Sequence, residues 1–202
     1  MGIYLNPGND EFYNAVINSK IYVDKTELLK FTNSVLCGEH KNICVSRPRR
    51  FGKSMAANML AAYYSKGCAS KELFEGLKIA KEQDYDEHLN KYNVIHMNMI
   101  DFLSRADSMD DLIDYLQRRL LWDIKKEYSD VDCFDWNDLV DVLETVYSEK
   151  KQPFIIIIDE WDCIFRKYPE NIEDQKKYLD SFKLISVIPL LHFFIWHIIP
   201  DT

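Results

Sequence analysis

Two separated stretches carry residue types that could act together on a phosphate group. The first, from Arg47 to Ser54, reads Arg-Pro-Arg-Arg-Phe-Gly-Lys-Ser and follows a short apolar run. In the phosphate-loop pattern G-x-x-x-x-G-K-[S/T], glycine lets the backbone approach phosphate, lysine meets the β- and γ-phosphates, and the hydroxyl binds Mg²⁺. Arg47 stands where that pattern has its first glycine. Taken alone, the stretch fits a nucleotide site or a basic surface loop equally well.

The second stretch, from Asp159 to Asp162, reads Asp-Glu-Trp-Asp and directly follows the isoleucine run 155–158. Ligands of open α/β sheets bind at the carboxyl ends of strands. An aspartate there can hold Mg²⁺ directly or through water, and the next glutamate can polarise a water that attacks the γ-phosphate. Acidic residues in this position can also have a structural role, because they often cap the helix that follows a strand. The acidic pair Asp159 and Glu160, taken together with Gly-Lys-Ser after an earlier strand, favours a nucleotide site. This is the arrangement of the additional-strand, catalytic-glutamate class of P-loop ATPases.

Charge assigns a role to each residue. The anionic triphosphate of ATP needs amide donors, a helix N-terminus and a cation, which the backbone from Arg50 to Met55 and the Lys53 side chain can supply. We predict that Ser54 and Asp159 bind Mg²⁺ together with waters, and that Glu160 is the general base, with Lys53 as a second catalytic residue. The predicted nucleotide-binding residues are Pro48, Arg49, Arg50, Phe51, Gly52, Lys53, Ser54 and Met55.

The entry to the loop departs from the pattern. Arg47 cannot use the backbone conformations open to glycine alone, so we expect a wider turn or a weakly held nucleotide, and Pro48 stiffens the same segment. Arg49 and Arg50 have three open roles: they could contact the nucleotide phosphates, pair with Asp162 or Glu160 in the empty state, or meet a partner.

The elements that must position these residues follow from hydrophobic periodicity. Continuous apolar runs predict buried strands at residues 43–46, 94–99 and 154–158, the last being a central parallel strand covered on both faces. A helix should start at Ser54 and end at Gly67. Strands that alternate with helices indicate an α/β fold, and with the two motifs a three-layer P-loop NTPase with a mainly parallel sheet.

Capping residues predict three further helix starts. Asp24 with Glu27 forms a capping-box arrangement, and Ser108 with Asp111 opens a long amphipathic helix. Asp135 is expected to cap the helix that precedes the isoleucine strand.

Composition limits the classes of protein that remain. With 202 residues, of which 47% are apolar, the chain can form one substantial domain. A formal charge of −8 argues against non-specific nucleic-acid binding over the whole surface. The five cysteines form no C-x-x-C pair, no histidine belongs to a ligand cluster, and the first residues have no secretory pattern. We therefore expect a cytoplasmic protein with reduced thiols.

These motifs resemble the AAA-ATPase-like family of prokaryotic proteins, whose members often carry a PD-(D/E)XK nuclease-like domain at the C-terminus. The resemblance rests on Arg47–Ser54 as a modified Walker A loop and Asp159–Asp162 as the Walker B motif, with tryptophan at 161 where tyrosine is usual. The stretches 22–26 (Tyr-Val-Asp-Lys-Thr) and 73–77 (Leu-Phe-Glu-Gly-Leu) are similar to two further blocks of the family. The resemblance implies ATP and Mg²⁺ as ligands and makes Arg47 a feature of the family.

The resemblance covers roughly residues 10–182 and then stops. We divide the chain into an AAA-ATPase-like domain at 1–182 and a divergent apolar tail at 183–202, without the family's sensor strand, distal arginine or nuclease-like domain. The uncharged run 184–199 is shorter than the roughly 20 residues that span a bilayer, and Pro189 interrupts it, so we expect no membrane anchor. We interpret it as the product of a truncated or frame-shifted reading frame, or as a substitute element that packs on the sheet.

Three functions remain open at this point. The first is an ATPase module that binds Mg·ATP and hydrolyses it, alone, as a homo-oligomer or with a protein partner. The second is a nucleotide-gated interaction module without turnover. The third is a nucleic-acid-directed protein that uses the arginine-rich loop, although the acidic total argues against nucleic acid as a partner of this chain alone.

Overall fold

One parallel sheet forms the centre of the protein. The computed structural model describes residues 2–36, 42–47, 52–186 and 191–198. Within them, four strands pair in parallel in the order β1-β4-β3-β2. The strands are β1 Asn42–Arg47, β2 Asn93–Asn98, β3 Phe154–Asp159 and β4 Leu191–Ile198. The prediction of an α/β fold with a mainly parallel sheet is therefore confirmed.

Helices cover the sheet and fill the connections. They are α1 Asp10–Tyr13, continued by a π-helical turn Asn14–Asn18, then α2 Glu27–Val35, α3 Lys53–Tyr64, α4 Lys71–Phe74, a 3₁₀ turn Lys78–Lys81, α5 Tyr85–His88, α6 Met99–Leu103, α7 Met109–Glu127, α8 Leu139–Lys150, α9 Cys163–Lys167 and α10 Ile172–Ser186. None of these helices combines the length and the apolar content that crossing a membrane requires.

Strand β3 is buried along its whole length. Its alternate side chains enter two apolar clusters on opposite faces of the sheet: Ile155 and Ile157 pack with residues of α3, while Ile156 and Ile158 pack with residues of α7 and α8. Burial of each isoleucine contributes about 1.5–3 kcal/mol. The prediction of a central strand covered on both faces is confirmed, and the predicted strands 43–46 and 94–99 differ from β1 and β2 by a single residue at each end.

Tyrosines fix the far end of α3. Tyr63 and Tyr64 are fully buried, and the Tyr64 hydroxyl donates to Asn33 Oδ1 at 2.7 Å. The Tyr63 hydroxyl donates to the Tyr85 carbonyl at 2.9 Å. Both bonds satisfy polar atoms that burial would otherwise penalise. Helix α3 is thus anchored at its C-terminal end, which fixes the direction of its N-terminus.

Two of the predicted caps are wrong. Helix α8 begins at Leu139, and Asp138 is its cap, with Oδ1 accepting from Val140 N at 2.8 Å and Asp141 N at 3.2 Å. Asp135 instead accepts from Asn137 N at 2.8 Å, because an aspartate can bond the amide two residues on in an Asx turn as readily as it caps a helix. The sequence offers two such acids within four positions, and the second one is used.

The capping box at Asp24 is also wrong, since α2 begins only at Glu27 and its N-cap position is Thr26. Asp24 makes an Asx turn onto Thr26 N at 2.8 Å. The cap at Ser108 is confirmed: its Oγ accepts from Asp111 N at 3.1 Å. Helix α3 runs from Lys53 to Tyr64, so it starts one residue before the predicted Ser54 and ends before Gly67.

Strand β4 lies within the stretch that the sequence assigned to a divergent tail. It pairs on one side with β1, where Ile43 is opposite Phe194, and on the other with β3, where Ile156 is opposite Phe193. An uncharged run suits this position, because a strand between two others in a parallel sheet is covered on both faces. Residues 191–198 of the run 184–199 therefore form a strand of the sheet, which agrees with the alternative that this run is a substitute element that packs on the sheet.

The Asp123 carboxylate of α7 anchors the N-terminal segment. It is 3% exposed, and its Oδ2 accepts from Tyr4 N at 2.7 Å and from Leu5 N at 3.2 Å. Leu5 in turn forms an antiparallel bridge with Ile95 of β2. One buried acceptor therefore holds the segment that borders the edge strand.

We predict that Asp123→Ala lowers the free energy of unfolding by about 2–4 kcal/mol, because two buried amide donors lose their charged acceptor. Asp123→Asn keeps an acceptor oxygen and should lose less. Asp114→Ala, which removes an exposed acid from the same helix, is the control and should cost under about 0.5 kcal/mol. Urea denaturation measures all three, and equal effects of Asp123→Ala and Asp114→Ala would contradict the anchoring role.

Candidate functional site

The two chemistry-bearing stretches meet at the carboxyl edge of the sheet. Ser54 Oγ, in the first turn of α3, donates to Asp159 Oδ2 at 2.7 Å although the residues are 105 positions apart. The other oxygen, Oδ1, accepts from the backbone N–H of Glu160 at 3.0 Å. Asp159 ends β3 and is 3% exposed. The structure therefore brings together the two residues predicted as metal ligands.

Burial governs the electrostatics of Asp159. Loss of solvent raises the pKa of its carboxyl, the bond from Ser54 lowers it, the neighbouring Glu160 raises it, and the net result is a raised pKa. A buried carboxyl beside a hydroxyl oxygen would be ionised by a hard divalent cation, which prefers oxygen ligands. The donor set fits Mg²⁺, which is commonly held by one or two protein oxygens with waters and phosphate oxygens. Among the described residues, no group of three or more His, Cys, Asp or Glu side chains could hold a metal ion.

Gly52 and Lys53 form the start of α3. Gly52 precedes the helix with φ +71° and ψ 39°, in the left-handed region that favours glycine. Lys53 is the first helical residue and is 8% exposed, while Met55 is half-buried. The first amides of an α-helix have no acceptor within the helix, and the helix dipole makes such a position favourable for anions.

Part of the predicted loop cannot be compared. Pro48, Arg49, Arg50 and Phe51 lie outside the described residues. Arg47 is the last residue of β1. The nucleotide contacts assigned to these residues therefore stay predictions.

An arginine that the sequence did not single out holds the predicted general base. Arg166 of α9 bonds Glu160 Oε2 through Nη2 at 2.5 Å and Asp162 Oδ2 through Nη1 at 3.0 Å. The Glu160 side chain is 16% exposed and that of Asp162 is 6% exposed, so solvent screens these pairs little. Asp162 and Arg166 are four positions apart in the sequence, a spacing that favours an ion pair on a helix. The sequence therefore indicated the contact with Asp162 but not the contact with Glu160. Arg166 thus pairs with the two acids that were considered as partners of Arg49 or Arg50, and those two arginines lie outside the described residues.

The backbone at Glu160 is unusual. Its φ of +55° lies in the left-handed region, which costs about 1–2 kcal/mol for a residue with a Cβ. Three contacts hold the turn: the bond from Glu160 N to Asp159, the pair with Arg166, and the buried Tyr178 hydroxyl, which donates to the Trp161 carbonyl at 2.8 Å. Strained residues of this kind concentrate at functional sites, where the surrounding structure maintains them.

A cavity of about 520 Å³ adjoins the pair of Ser54 and Asp159. Its lining also includes His96 and Asn98 of β2, and Asn98 is opposite Asp159 in the strand register. Asn98 Oδ1 also caps α6 by accepting from Ile100 N at 3.0 Å. Space for a ligand therefore lies beside the proposed metal ligands, on the β2 side of the site.

The chain was also compared with known proteins. The model of the AAA-ATPase-like family, described as predicted AAA-ATPase, matches residues 7–188. This match extends six residues past Phe182, where the resemblance was expected to stop. No curated protein matches the chain.

We predict that His96 makes the folded protein acid-sensitive. Burial lowers the pKa of His96 to about 4, whereas the unfolded chain takes up the proton near 6.5. The unfolded state therefore binds more protons between these values, so stability falls as pH falls from 6.5 toward 4. His96→Gln should remove a pH-dependent loss on the order of 1–2 kcal/mol between pH 7.5 and pH 5. Chemical denaturation at both pH values measures this, and a wild-type-to-variant difference that does not change with pH would contradict it.

Proposed function

Because the chain belongs to the AAA-ATPase-like family, we propose that it binds Mg·ATP at the edge formed by the ends of β1 and β3, and that it hydrolyses the γ-phosphate. The observation that carries the proposal is the bond from Ser54 Oγ to Asp159 Oδ2. Each motif alone has a structural explanation. Their direct contact across 105 positions of the chain supports a shared cation site, because such a site needs both oxygens within reach of one ion.

The strand order supports a finer assignment. In the order β1-β4-β3-β2, strand β4 separates the strand before the phosphate loop from the strand that ends in Asp159. The additional-strand, catalytic-glutamate class takes the first part of its name from one additional strand in this place. We therefore propose that class for this domain.

Each residue then has a defined task. The Lys53 ammonium and the amides at the start of α3 bind the phosphate oxygens and neutralise their charge. Ser54 Oγ and Asp159 would hold Mg²⁺, which supplies further charge stabilisation at the γ-phosphate when bound. Glu160 takes a proton from the attacking water at a carboxylate oxygen, so its carboxylate must be free to face that water.

A second candidate function is nucleotide binding without useful turnover, in a module whose nucleotide state controls a protein partner. The pair between Arg166 and Glu160 favours it, because a carboxylate oxygen that accepts a 2.5 Å bond from a guanidinium is not free to face the attacking water. Binding and turnover must therefore be measured separately.

We predict that Mg·ATP raises the melting temperature of the wild-type protein, and that Ser54→Ala removes the part of this shift that depends on Mg²⁺. Glu160→Gln should keep the ATP-induced shift and lose turnover by a factor of about 10²–10⁴, the usual contribution of a general base. Differential scanning fluorimetry and phosphate release measure the two properties. A folded protein with no shift at millimolar ATP would reject the proposal, and unchanged turnover in Glu160→Gln would remove Glu160 from its role.

We predict that Arg166→Gln raises phosphate release several-fold while the affinity for ATP changes by less than about twofold, because Glu160 is then free to accept a proton. The matched control is Asp162→Asn, which keeps Arg166 on Glu160 and should leave turnover low. Loss of Arg166 also removes the guanidinium from the poorly exposed Asp162 carboxylate, which can destabilise the fold. The double variant Asp162→Asn/Arg166→Gln removes that carboxylate charge as well and so controls for this effect. Turnover that falls in both Arg166 variants would mean that Arg166 orients Glu160 rather than restrains it.

A further inference from the structure

The cavity beside Ser54 and Asp159 is larger than a metal ion needs. Its volume of about 520 Å³ lies within the range of about 300–1,000 Å³ that small-molecule sites usually have. It lies between α3, β2 and the N-terminal segment, and its lining includes Asn58 of α3 and His96 of β2. Neither of these two residues has a role in the proposed binding and hydrolysis of Mg·ATP.

Alternation along β2 turns His96 toward α3. Val94 packs in the apolar cluster that contains α3, whereas Ile95 and Met97 pack in the cluster on the other face of the sheet. His96 and Asn98 therefore lie on the face of β2 that is turned toward α3. The neighbouring strand β3 has isoleucines on this face, so packing against α3 does not by itself explain two polar residues here.

Helix α3 presents a polar residue to the same cavity. Ser54, Asn58 and Ala61 all line it, and their spacing of four and three positions places them on one face of the helix. The buried residues of α3 are otherwise mostly alanine, methionine, leucine and tyrosine. Asparagine is a poorer helix former than alanine or leucine, so Asn58 is not explained by helix formation.

The polar groups of these two side chains have no hydrogen-bond partner among the described residues. Outside the strand ladder, His96 bonds only through its backbone N–H, which donates to the Tyr4 carbonyl at 2.9 Å. The carboxamide of Asn58 likewise bonds to no residue in the described part of the chain. Both side chains are half-buried, and polar groups inside a protein are normally hydrogen-bonded. A ligand in the cavity would satisfy both.

The charges of the lining disfavour an anionic ligand. Three acids, Glu11, Asp101 and Asp159, line the cavity, against one described base, Arg105, whose guanidinium already bonds a tyrosine hydroxyl at 2.8 Å. Burial lowers the pKa of His96 to about 4, so its ring is neutral at pH 7. A neutral imidazole and a carboxamide each offer donors and acceptors, which matches hydroxyl groups because a hydroxyl also donates and accepts.

We propose that this cavity binds an uncharged small molecule with several hydroxyl groups, a polyol or a sugar, through the side chains of His96 and Asn58. Asn98, whose Oδ1 caps α6, adds its amide donors from the same face of β2. The lysine and the hydroxyl of a phosphate loop meet the phosphate end of a nucleotide, so a molecule beside Ser54 would neighbour the phosphates rather than the base. The site does not require a nucleotide, and the inference does not depend on ATP hydrolysis.

The test measures binding by saturation-transfer NMR, with glycerol, myo-inositol, ribose and glucose as separate probes at millimolar concentration and without nucleotide. At least one probe should bind the wild-type protein. Its Kd should rise about tenfold or more in Asn58→Leu and in His96→Leu, because each variant removes hydrogen bonds to the ligand. His88→Leu is the matched control, since it replaces a half-buried histidine that bonds Tyr92 outside the cavity, and it should bind like wild type.

Thermal stability separates a binding role from a structural one. Without a ligand, Asn58→Leu and His96→Leu should melt at or above the wild-type temperature, because neither loses a side-chain hydrogen bond to the described residues and both add apolar surface to the interior. A large decrease in both variants would assign these residues to the fold and contradict the inference. Should Asn58→Leu fail to fold, Asn58→Ala, which favours a helix, replaces it.

Three binding results would overturn the inference. The first is a folded wild-type protein that binds none of the four probes, and the second is binding that both variants keep unchanged. The third is adenosine binding that depends on His96 and Asn58 while the four probes do not bind, which would assign the cavity to the nucleoside part of a nucleotide. None of these results decides whether Mg·ATP binds, because its effect on the melting temperature is measured separately.

Discussion

One hydrogen bond joins the two halves of the candidate site: Ser54 Oγ donates to Asp159 Oδ2. The bond requires that α3 start beside the end of β3, and most of the fold serves that requirement. Buried tyrosines fix the far end of α3, the isoleucines of β3 enter apolar clusters on both faces of the sheet, and Asp159 ends the strand at the edge where α3 begins. This hydrogen bond contributes less free energy than the burial of the apolar side chains around it. The packing of the scaffold therefore determines the geometry of the site, and the hydrogen bond is a result of that geometry.

Several charged groups surround this bond. Asp159 is a carboxyl in a poorly solvated place, Glu160 is held by a guanidinium in a strained turn, and Lys53 is the first residue of α3, at the positive end of that helix. A magnesium–triphosphate complex would complement this arrangement, with the cation at the carboxyl and the phosphates at the lysine and the helix start. Such a site keeps its charges preorganised, so little rearrangement is needed when the ligand arrives.

The sequence predicted those parts of the molecule whose signals are local. Four consecutive isoleucines specify a buried strand, and Gly-Lys-Ser and Asp-Glu each identify a strand end, so the meeting of Ser54 with Asp159 could be foreseen. Arg166 could not, because its contact with Glu160 depends on a left-handed turn that no residue in the motif demands. Asp135 and Asp138 are equally good caps, and only packing chooses between them. The turn at Asp24 resembles a helix start in the sequence, because its distant partners, the amides of Lys78 and Ile79, are far away in the chain.

The position of β4 has a consequence for how the protein is made. Strands β1 and β3 do not pair with each other; β4 lies between them and comes from residues 191–198. During synthesis, both motif strands are made before the strand that joins them, β1 much earlier than β3, so each has an unpaired parallel edge until β4 follows. The candidate site is therefore among the last features to assemble, and pairing over such sequence separations makes folding slow. A nascent chain that has reached residue 186 contains every residue discussed for the site, but it lacks the strand that sets the spacing between its two halves.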